Sequence, residues 1–178
     1  MGRWLTDNSR LEKSSKPNKW FLLDNELYQD DDGVIYLAPR NYETDNFSIP
    51  DWIAWLAGNK SKWDVRPSHL HDFGCQYKQL IKLKINEAGL RRLRLLRVHK
   101  AKLICEDIPT RYLCLVPVTK WEIDCMFKRM MKATKTIPSA VCNLFRGGVV
   151  FNLGWLGKHK AYDMNKIYQR ETNEPPKY

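Results

Sequence analysis

Features that would place the chain in a membrane or in an oxidising compartment are missing from the sequence. No stretch approaches the roughly 20 apolar residues that a membrane-spanning helix needs, and the polar N-terminus has no apolar core of the signal-peptide kind. The cysteines are Cys75, Cys105, Cys114, Cys125 and Cys142, an odd and scattered set without a Cys-x-x-Cys pair. We therefore expect free thiols with no disulfide partner, in a protein kept in a reducing cytoplasm or packed into an assembly from there.

Acidic residues are also fewer than basic residues. The 178 residues include 20 Asp and Glu against 30 Lys and Arg, which gives a net charge of +10. This balance favours acidic partners, such as nucleic acid, anionic lipid or the acidic face of another protein. Because 43% of the residues are hydrophobic and seven are Trp, the chain is expected to fold rather than to stay disordered.

The order of patterns along the chain predicts an α+β fold. Residues 1–19 are polar and are interpreted as an N-terminal arm, residues 20–156 as a single globular domain, and residues 157–178 as a C-terminal tail. An apolar run at 20–23 and a hairpin with strands near 27–28 and 34–37 predict a small N-terminal hairpin or sheet.

The rest of the domain is predicted to be a mainly helical body. Helices are expected to begin at Pro50, at Pro67 or Ser68, and at Pro138, because proline fits the first turn of a helix. Thr119 and Glu122 have the spacing of a capping box and predict another helix start. A strand is predicted within 103–118.

An insertion at about 78–118 separates the two helices that carry the motifs described below. Residues 78–102 hold nine Lys or Arg against one acid, and the interleaved leucines predict an amphipathic basic helix. The candidate residues for binding an anion or a partner are Arg91, Arg92, Arg94, Arg97 and Lys100. Three interpretations stay open, namely a solvated charged face, phosphate contacts with nucleic acid, and docking in a multi-protein assembly.

The sequence His69-Leu70-His71-Asp72 places two imidazoles and a carboxylate within four residues. Residues three apart share a helix face, so His69 and Asp72 are predicted to lie side by side, and His71 to face the same side as Cys75. Asp124 stands among apolar residues of the Thr119 helix and would be expensive to bury alone. We therefore expect Asp124 to meet a histidine of the facing helix.

Such a set of residues can serve chemistry in two ways. His71 can act as a general base oriented by Asp124, with Asp45 as a third acid of the site. Asp72 and His69 can hold a metal ion that polarises a substrate oxygen. The alternative is a buried polar pair that joins two helices and has no chemical role.

The order of these motifs resembles a phage- and prophage-associated domain family of unknown function. The family pattern is a hairpin, Thr-Asp-x-x-Ser-Ile-Pro, an apolar helix, a His-Asp pair with a following aromatic residue, and an Asp-x-x-Phe-x-x-x-Met helix. Residues 44–50, TDNFSIP, match the first motif, and the similarity extends from about Leu27 to Trp155. The later matching residues are His71, Asp72, Tyr77, Asp124, Phe127, Met131, Phe145, Gly148 and Trp155. The resemblance implies a tailed-phage origin and does not imply a reaction.

The segment HDFGCQY is also similar to the catalytic helix of prokaryotic and secreted phospholipases A2. That similarity implies His71 as the base that activates water, Asp72 as a calcium ligand and Asp124 as the residue that orients His71. The chain departs from these enzymes because it lacks their upstream Gly-rich calcium loop and their flanking half-cystines. A divalent cation such as calcium is the cofactor that this similarity would imply.

These features leave three competing functions. The first is a virion or assembly component of a tailed phage, made in the host cytoplasm, with other phage structural proteins as partners. The second is a hydrolase-like enzyme, metal-assisted or based on the His/Asp set, and the third is a nucleic-acid-binding accessory protein. An open pocket around the acids and His71 would favour the enzyme, whereas a buried, mutually hydrogen-bonded cluster would favour the structural role.

Overall fold

The computed structural model describes residues 2–7, 9–45, 63–137, 142 and 161–169. These residues form ten β-strands and three α-helices, which confirms the predicted α+β class. The strands are β1 (Arg3–Trp4), β2 (Leu11–Lys13), β3 (Trp20–Leu22), β4 (Glu26–Gln29), β5 (Ile35–Ala38), β6 (Glu43–Thr44), β7 (Gln79–Leu83), β8 (Leu96–His99), β9 (Lys102–Cys105) and β10 (Leu113–Pro117). The helices are α1 (Arg66–Tyr77), α2 (Glu87–Arg92) and α3 (Lys120–Thr134). The helices predicted at Pro50 and Pro138 fall outside the described residues, apart from Cys142.

Five of the strands form one antiparallel sheet in the order β1-β4-β5-β7-β10. Its neighbours β4 and β5 are the predicted hairpin. In the turn between them, Asp30 Oδ1 accepts hydrogen bonds from the N–H groups of Asp32 and Val34 at 3.0 and 2.8 Å. Gly33 completes this turn at φ 80°, a conformation that residues with a side chain rarely adopt. The other described strands form a three-stranded sheet, β2-β3-β6, and a separate hairpin, β8-β9.

Two of the helices pack on the five-stranded sheet. α1 contacts β5, β7 and α3, and α3 also contacts β1. The predicted capping box at the start of α3 is confirmed, because the side chains of Thr119 and Glu122 each accept the backbone N–H of the other residue. Leu27 and Tyr28, which point to opposite faces of β4, are both fully buried, so the centre of the sheet is covered on both sides.

α1 and α3 approach each other closely at Gly74. A β-carbon at this position would lie 2.7 and 2.8 Å from the Cδ1 and Cγ1 atoms of Ile123, and 3.3 Å from Cδ2 of Leu80. Ile123 is itself fully buried, so its side chain has little room to move aside. The absence of a side chain at Gly74 therefore sets how closely the two helices pack.

The prediction of an N-terminal arm is wrong for those of residues 1–19 that the structure describes. β1 pairs with β4, and β2 pairs with β3. The ring of Trp4 packs on Tyr28 with centroids 5.3 Å apart, and Leu5 is buried. A few apolar residues in a polar segment are enough to attach it to the core.

The predicted tail is likewise wrong for residues 161–169. The ring of Tyr162 lies 4.8 Å from the rings of both Phe73 and Tyr77, measured between centroids. Ile167 is buried, and the Tyr168 hydroxyl accepts a hydrogen bond from the backbone N–H of Ile108 at 2.9 Å. Aromatic residues within this polar segment therefore join it to the globular domain.

The long basic helix predicted over 78–102 is also wrong. The segment contains β7, the short helix α2 and β8, and β7 pairs with β10 from Gln79↔Pro117 to Leu83↔Leu113. Short apolar runs fit helices and strands alike, and pairing with the predicted strand β10 decides in favour of a sheet here. The predicted insertion at 78–118 therefore begins and ends with strands of the main sheet, β7 and β10, and only residues 84–112 lie between them.

We expect Gly74→Ala to lower the free energy of unfolding by about 1 kcal/mol, because overpacking against Ile123 outweighs the better helix propensity of alanine. Urea unfolding followed by Trp fluorescence measures the change. Ile123→Ala removes both of the closest contacting atoms and provides the matched background, in which Gly74→Ala should cost nothing. An equal cost in both backgrounds would contradict the close helix contact.

Candidate functional site

The start of α1 is fixed by a buried ion pair. The Asp64 carboxylate accepts hydrogen bonds from the backbone N–H of Arg66 at 3.0 Å and from its guanidinium. The two side chains are 6% and 9% exposed, and the guanidinium lies 4.8 Å from the centre of the Trp4 ring. These contacts hold the first turn of α1 against the N-terminal strand, and thereby fix the directions in which its histidines point.

His71 and Asp124 meet, as the sequence predicts. Nε2 of His71 lies 3.0 Å from Oδ1 of Asp124, across the contact between α1 and α3. The imidazole packs on Phe127, with ring centroids 4.5 Å apart. Lys120, one turn before Asp124, forms an ion pair with the second carboxylate oxygen. The His71 and Asp124 side chains are only 7% and 3% exposed, so this is a buried contact.

Asp72 lies near the other nitrogen of the same imidazole. Its Oδ1 atom is 3.9 Å from Nδ1 of His71, and its Oδ2 atom accepts a hydrogen bond from the Thr44 hydroxyl at 2.9 Å. Asp45 lies close enough to Asp72 to contribute to the pKa of its carboxyl group. The predicted residues Asp45, His71, Asp72 and Asp124 therefore belong to one cluster, in which Asp72 keeps 28% of its side chain exposed.

Cys75 lies beside the His71 ring, on the side that the helical spacing predicts. Its sulfur is 3.5 Å from Nε2 and 3.9 Å from Nδ1. These similar distances place the sulfur alongside the ring, and Nε2 already faces Asp124. This arrangement differs from a nucleophilic Cys-His pair, in which the thiol shares its proton with a nitrogen that a third group orients from the opposite side.

The surrounding carboxylates keep His71 protonated. Burial by itself lowers the pKa of His71, but the hydrogen bond with Asp124 and the nearby Asp72 and Cys75 side chains raise that pKa well above its usual value. Burial raises the pKa of Asp72, but the nearby His71 and Asp45 side chains and the hydrogen bond from Thr44 outweigh this effect, so the Asp72 pKa is lowered. An imidazolium at neutral pH cannot accept a proton, and this disfavours the predicted role of His71 as a general base.

His69 forms its buried ion pair with Glu26, whereas Asp72 acts on the pKa of His69 through its charge. Nδ1 of His69 lies 3.0 and 3.1 Å from the two carboxylate oxygens of Glu26 on β4, and the Ser9 hydroxyl contacts both groups. The His69 and Glu26 side chains are 0% and 2% exposed. Burial lowers the pKa of His69, but the charge and the hydrogen bond of Glu26 raise it on balance. This second buried pair ties α1 to the five-stranded sheet.

His69 and Asp72 consequently face different partners. Among the residues that the structure describes, no group of three or more His, Cys, Asp or Glu side chains could hold a metal ion. A ligating imidazole must also be neutral, whereas the raised pKa of His69 favours its protonated form. Their assignment as ligands of a divalent cation such as calcium stays a prediction that this donor set does not favour.

The candidate anion-binding residues are exposed on α2 and on the β8-β9 hairpin and its flanks. Arg91 forms an ion pair with Glu87 at 2.8 Å, and Arg97 forms one with Glu106 at 3.1 Å. Arg92, Arg94 and Lys100 have no acidic partner within the described parts of the chain. Of the five candidates, these three are therefore the ones available to an external partner.

Several residues that belong to the two buried pairs or contact them are missing from the set predicted from the sequence. Lys120 stands four residues before Asp124, and that spacing on a predicted helix is a usable signal. Thr44 lies in the Thr-Asp motif, but nothing local indicates that its hydroxyl reaches Asp72. Glu26 and Ser9 come from separate segments, and only the folded chain brings them to His69.

Within the described residues, no helix has the length and apolar character needed to cross a bilayer. All five cysteines are free thiols. Comparison with protein-family models, with curated proteins and with solved structures finds no match to the chain. The resemblance to a phage-associated family therefore stays a prediction.

Replacement of His71 by Gln should remove part of the pH dependence of stability. Because folding raises the pKa of His71, its protonation stabilises the fold fully below the unfolded-state value of about 6.5, and this contribution is lost as pH rises through the folded-state pKa. The difference in unfolding free energy between wild type and His71→Gln should thus be largest at about pH 5–6.5 and shrink at higher pH. Urea unfolding at a series of pH values measures it.

His99→Gln, at an exposed position, is the control for the loss of an imidazole as such. The stability difference between wild type and this control should not follow the pattern of His71→Gln. A difference between wild type and His71→Gln that grows as pH rises above about 6.5 would contradict the charged state assigned to His71.

Proposed function

We propose that the protein is a virion or assembly component of a tailed phage, in which the cluster around His71 holds the fold together and basic surface residues contact other phage structural proteins. The burial of the His71–Asp124 pair, 7% and 3% exposed, is the observation that carries the structural role. The phage setting is supported by the order of the sequence motifs alone.

The balance of charges supports a structural role for the cluster. His71 and Lys120 contribute positive charge, and Asp124 and Asp72 contribute negative charge, each within an ion pair. Removing one partner of a buried pair leaves an uncompensated charge and typically costs about 3–5 kcal/mol. The cluster therefore fixes how α1 and α3 pack without the need for a substrate.

The surface supports a binding role. The chain carries a net charge of +10, and the exposed cations Arg92, Arg94 and Lys100 have no acidic partner among the described residues. A positive surface of this kind attracts and orients acidic partners. In a particle, the partner would be the acidic surface of a neighbouring protein.

The hydrolase-like alternative keeps one observation in its favour. Asp45, His71, Asp72 and Asp124, which include every residue predicted to be catalytic, lie in one cluster. In such an enzyme the accessible group would be Asp72, with 28% of its side chain exposed, because His71 is buried and charged. This alternative requires activity to depend on the charges of the cluster, whereas the structural role does not.

The double variant His71→Gln/Asp124→Asn separates the two functions. It replaces the ion pair by neutral groups of similar shape that can still form a hydrogen bond, and it abolishes acid–base chemistry at both positions. We expect phage carrying this variant to assemble, to contain the protein and to form plaques at nearly the wild-type titre. Mass spectrometry of purified particles and plaque counts measure these outcomes.

Asp124→Asn alone is the matched control, because it leaves the buried imidazolium without its main counter-charge. It should lower stability by roughly 3 kcal/mol and reduce the amount of protein in the particles. Normal incorporation of the double variant with lost infectivity would favour the enzyme. Absence of the wild-type protein from particles, together with normal assembly after deletion of its gene, would exclude the proposed function.

A further inference from the structure

Within the described parts of the chain, the β8-β9 hairpin has one covered edge and one open edge. Along the outer edge of β9, the Asp7 N–H donates to the Leu103 carbonyl at 2.9 Å, and the Leu103 N–H donates to Asp7 Oδ2 at 2.6 Å. Cys105 on the same edge forms a β-bridge with Asn25. Along the outer edge of β8, no strand of the described chain is paired.

The register of the hairpin shows which backbone groups face this open edge. Lys100 and Ala101 form the turn with φ 48° and 62°, so His99 and Lys102 flank a two-residue turn and exchange hydrogen bonds across the hairpin. Hydrogen-bonded and non-hydrogen-bonded pairs alternate in an antiparallel ladder. The N–H and C=O groups of Val98, one residue before His99, therefore point away from β9 and towards the open edge.

The side chains around this edge combine apolar exposure with positive charge. Val98 is 74% exposed, and Leu93, just before the hairpin, is 41% exposed. Three exposed cations of the same segment, Arg92, Arg94 and Lys100, have no acidic partner among the described residues. Proteins usually cover an open edge or protect it from association, so an open edge beside exposed Val98 marks a place where another strand can pair.

We propose that β8 binds an extended acidic segment of a partner protein as an added β-strand. The partner's backbone pairs with the outward groups of β8, its apolar side chains contact Val98, and its carboxylates approach Arg94 and Lys100. Main-chain pairing supplies affinity and the side chains supply specificity in this mode of recognition. This inference rests on the proposed assembly function and names the surface that such a function would use.

Other occupants fit these features less well. A second copy of the chain would bring two sets of cations together, and like charges across a strand pair are destabilising. Nucleic acid would be held through its phosphates by lysine and arginine, and it would use neither the open backbone groups of β8 nor Val98.

A binding experiment on the full-length protein tests the strand pairing. The probe is a fluorescent synthetic peptide of alternating Val and Glu, followed by fluorescence anisotropy. Val98→Pro removes the outward N–H of β8 without removing a bond to β9, which an edge strand tolerates, and it should weaken binding about tenfold or more. Val98→Thr keeps the N–H and the branched shape, and it should bind the peptide nearly as wild type does.

The charges are tested separately. Arg94→Glu combined with Lys100→Glu should weaken binding at least about tenfold, whereas Lys13→Glu, an exposed cation on β2, should have little effect. A peptide with Lys in place of Glu should not bind. Hydrogen exchange provides a readout that does not depend on a folded variant, because the Val98 amide of the wild-type protein should become protected when the acidic peptide binds.

Equal affinity of Val98→Pro and Val98→Thr, or no protection of the Val98 amide, would overturn the proposal. A DNA oligonucleotide that displaces the peptide and binds Val98→Pro as tightly as wild type would instead identify the surface as a nucleic-acid contact. If the peptide binds as expected but the protein is absent from phage particles and not needed for assembly, the proposed function is excluded, whereas the proposal that β8 binds an acidic strand is supported. If wild type and Val98→Pro enter particles equally and the peptide does not bind, the proposal that β8 binds an acidic strand is excluded, whereas the proposed assembly function is not.

Discussion

The ion pair between His71 and Asp124 is the constraint on which the helical part of the fold depends. Two charged groups that are 7% and 3% exposed can be buried only if each compensates the other, so α1 and α3 must meet where these side chains lie. Gly74, one turn from His71, permits the close approach because no side chain separates it from Ile123. Lys120 and Asp72 add one charge of each sign at the margins of the pair. Packing and electrostatics thus select the same arrangement of the two helices.

The two histidines of the His69-Leu70-His71-Asp72 sequence connect α1 to two different layers. His71 joins it to α3 through Asp124, and His69 joins it to the five-stranded sheet through Glu26. Residues two apart on a helix point to well-separated faces, which is why one short sequence serves both contacts. The close spacing of two imidazoles and a carboxylate, which is typical of a metal or catalytic site, here serves two separate buried pairs.

Local sequence signals predicted the elements whose determinants are themselves local. The β4-β5 hairpin, the capping box of α3, and the α1 helix with its early proline are of this kind. The meeting of His71 with Asp124 was also predictable, because an acid in an apolar helix face needs a partner. The pairing of His69 with Glu26 could not be predicted from local sequence, since Glu26 lies on a strand far away along the chain. The helix prediction at β7 is wrong because the pairing of β7 with β10 is a long-range contact that local sequence does not indicate. The prediction of an N-terminal arm is wrong because the segment is polar overall, and its few apolar residues are enough to attach it to the core.

The body of the protein is therefore fixed by buried charges. Arg92, Arg94 and Lys100 lie on the β8-β9 hairpin and its flanks, together with a strand edge that no described strand covers, and this is the surface on which the proposed binding would take place. The most direct test of this account is the protonation state of His71, measured by ¹⁵N NMR of the imidazole nitrogens at about pH 7.5, one unit above the ordinary histidine pKa. The account predicts that both ring nitrogens carry a proton at this pH. A neutral ring with one unprotonated nitrogen, titrating near pH 6.5 as a free histidine does, would contradict it.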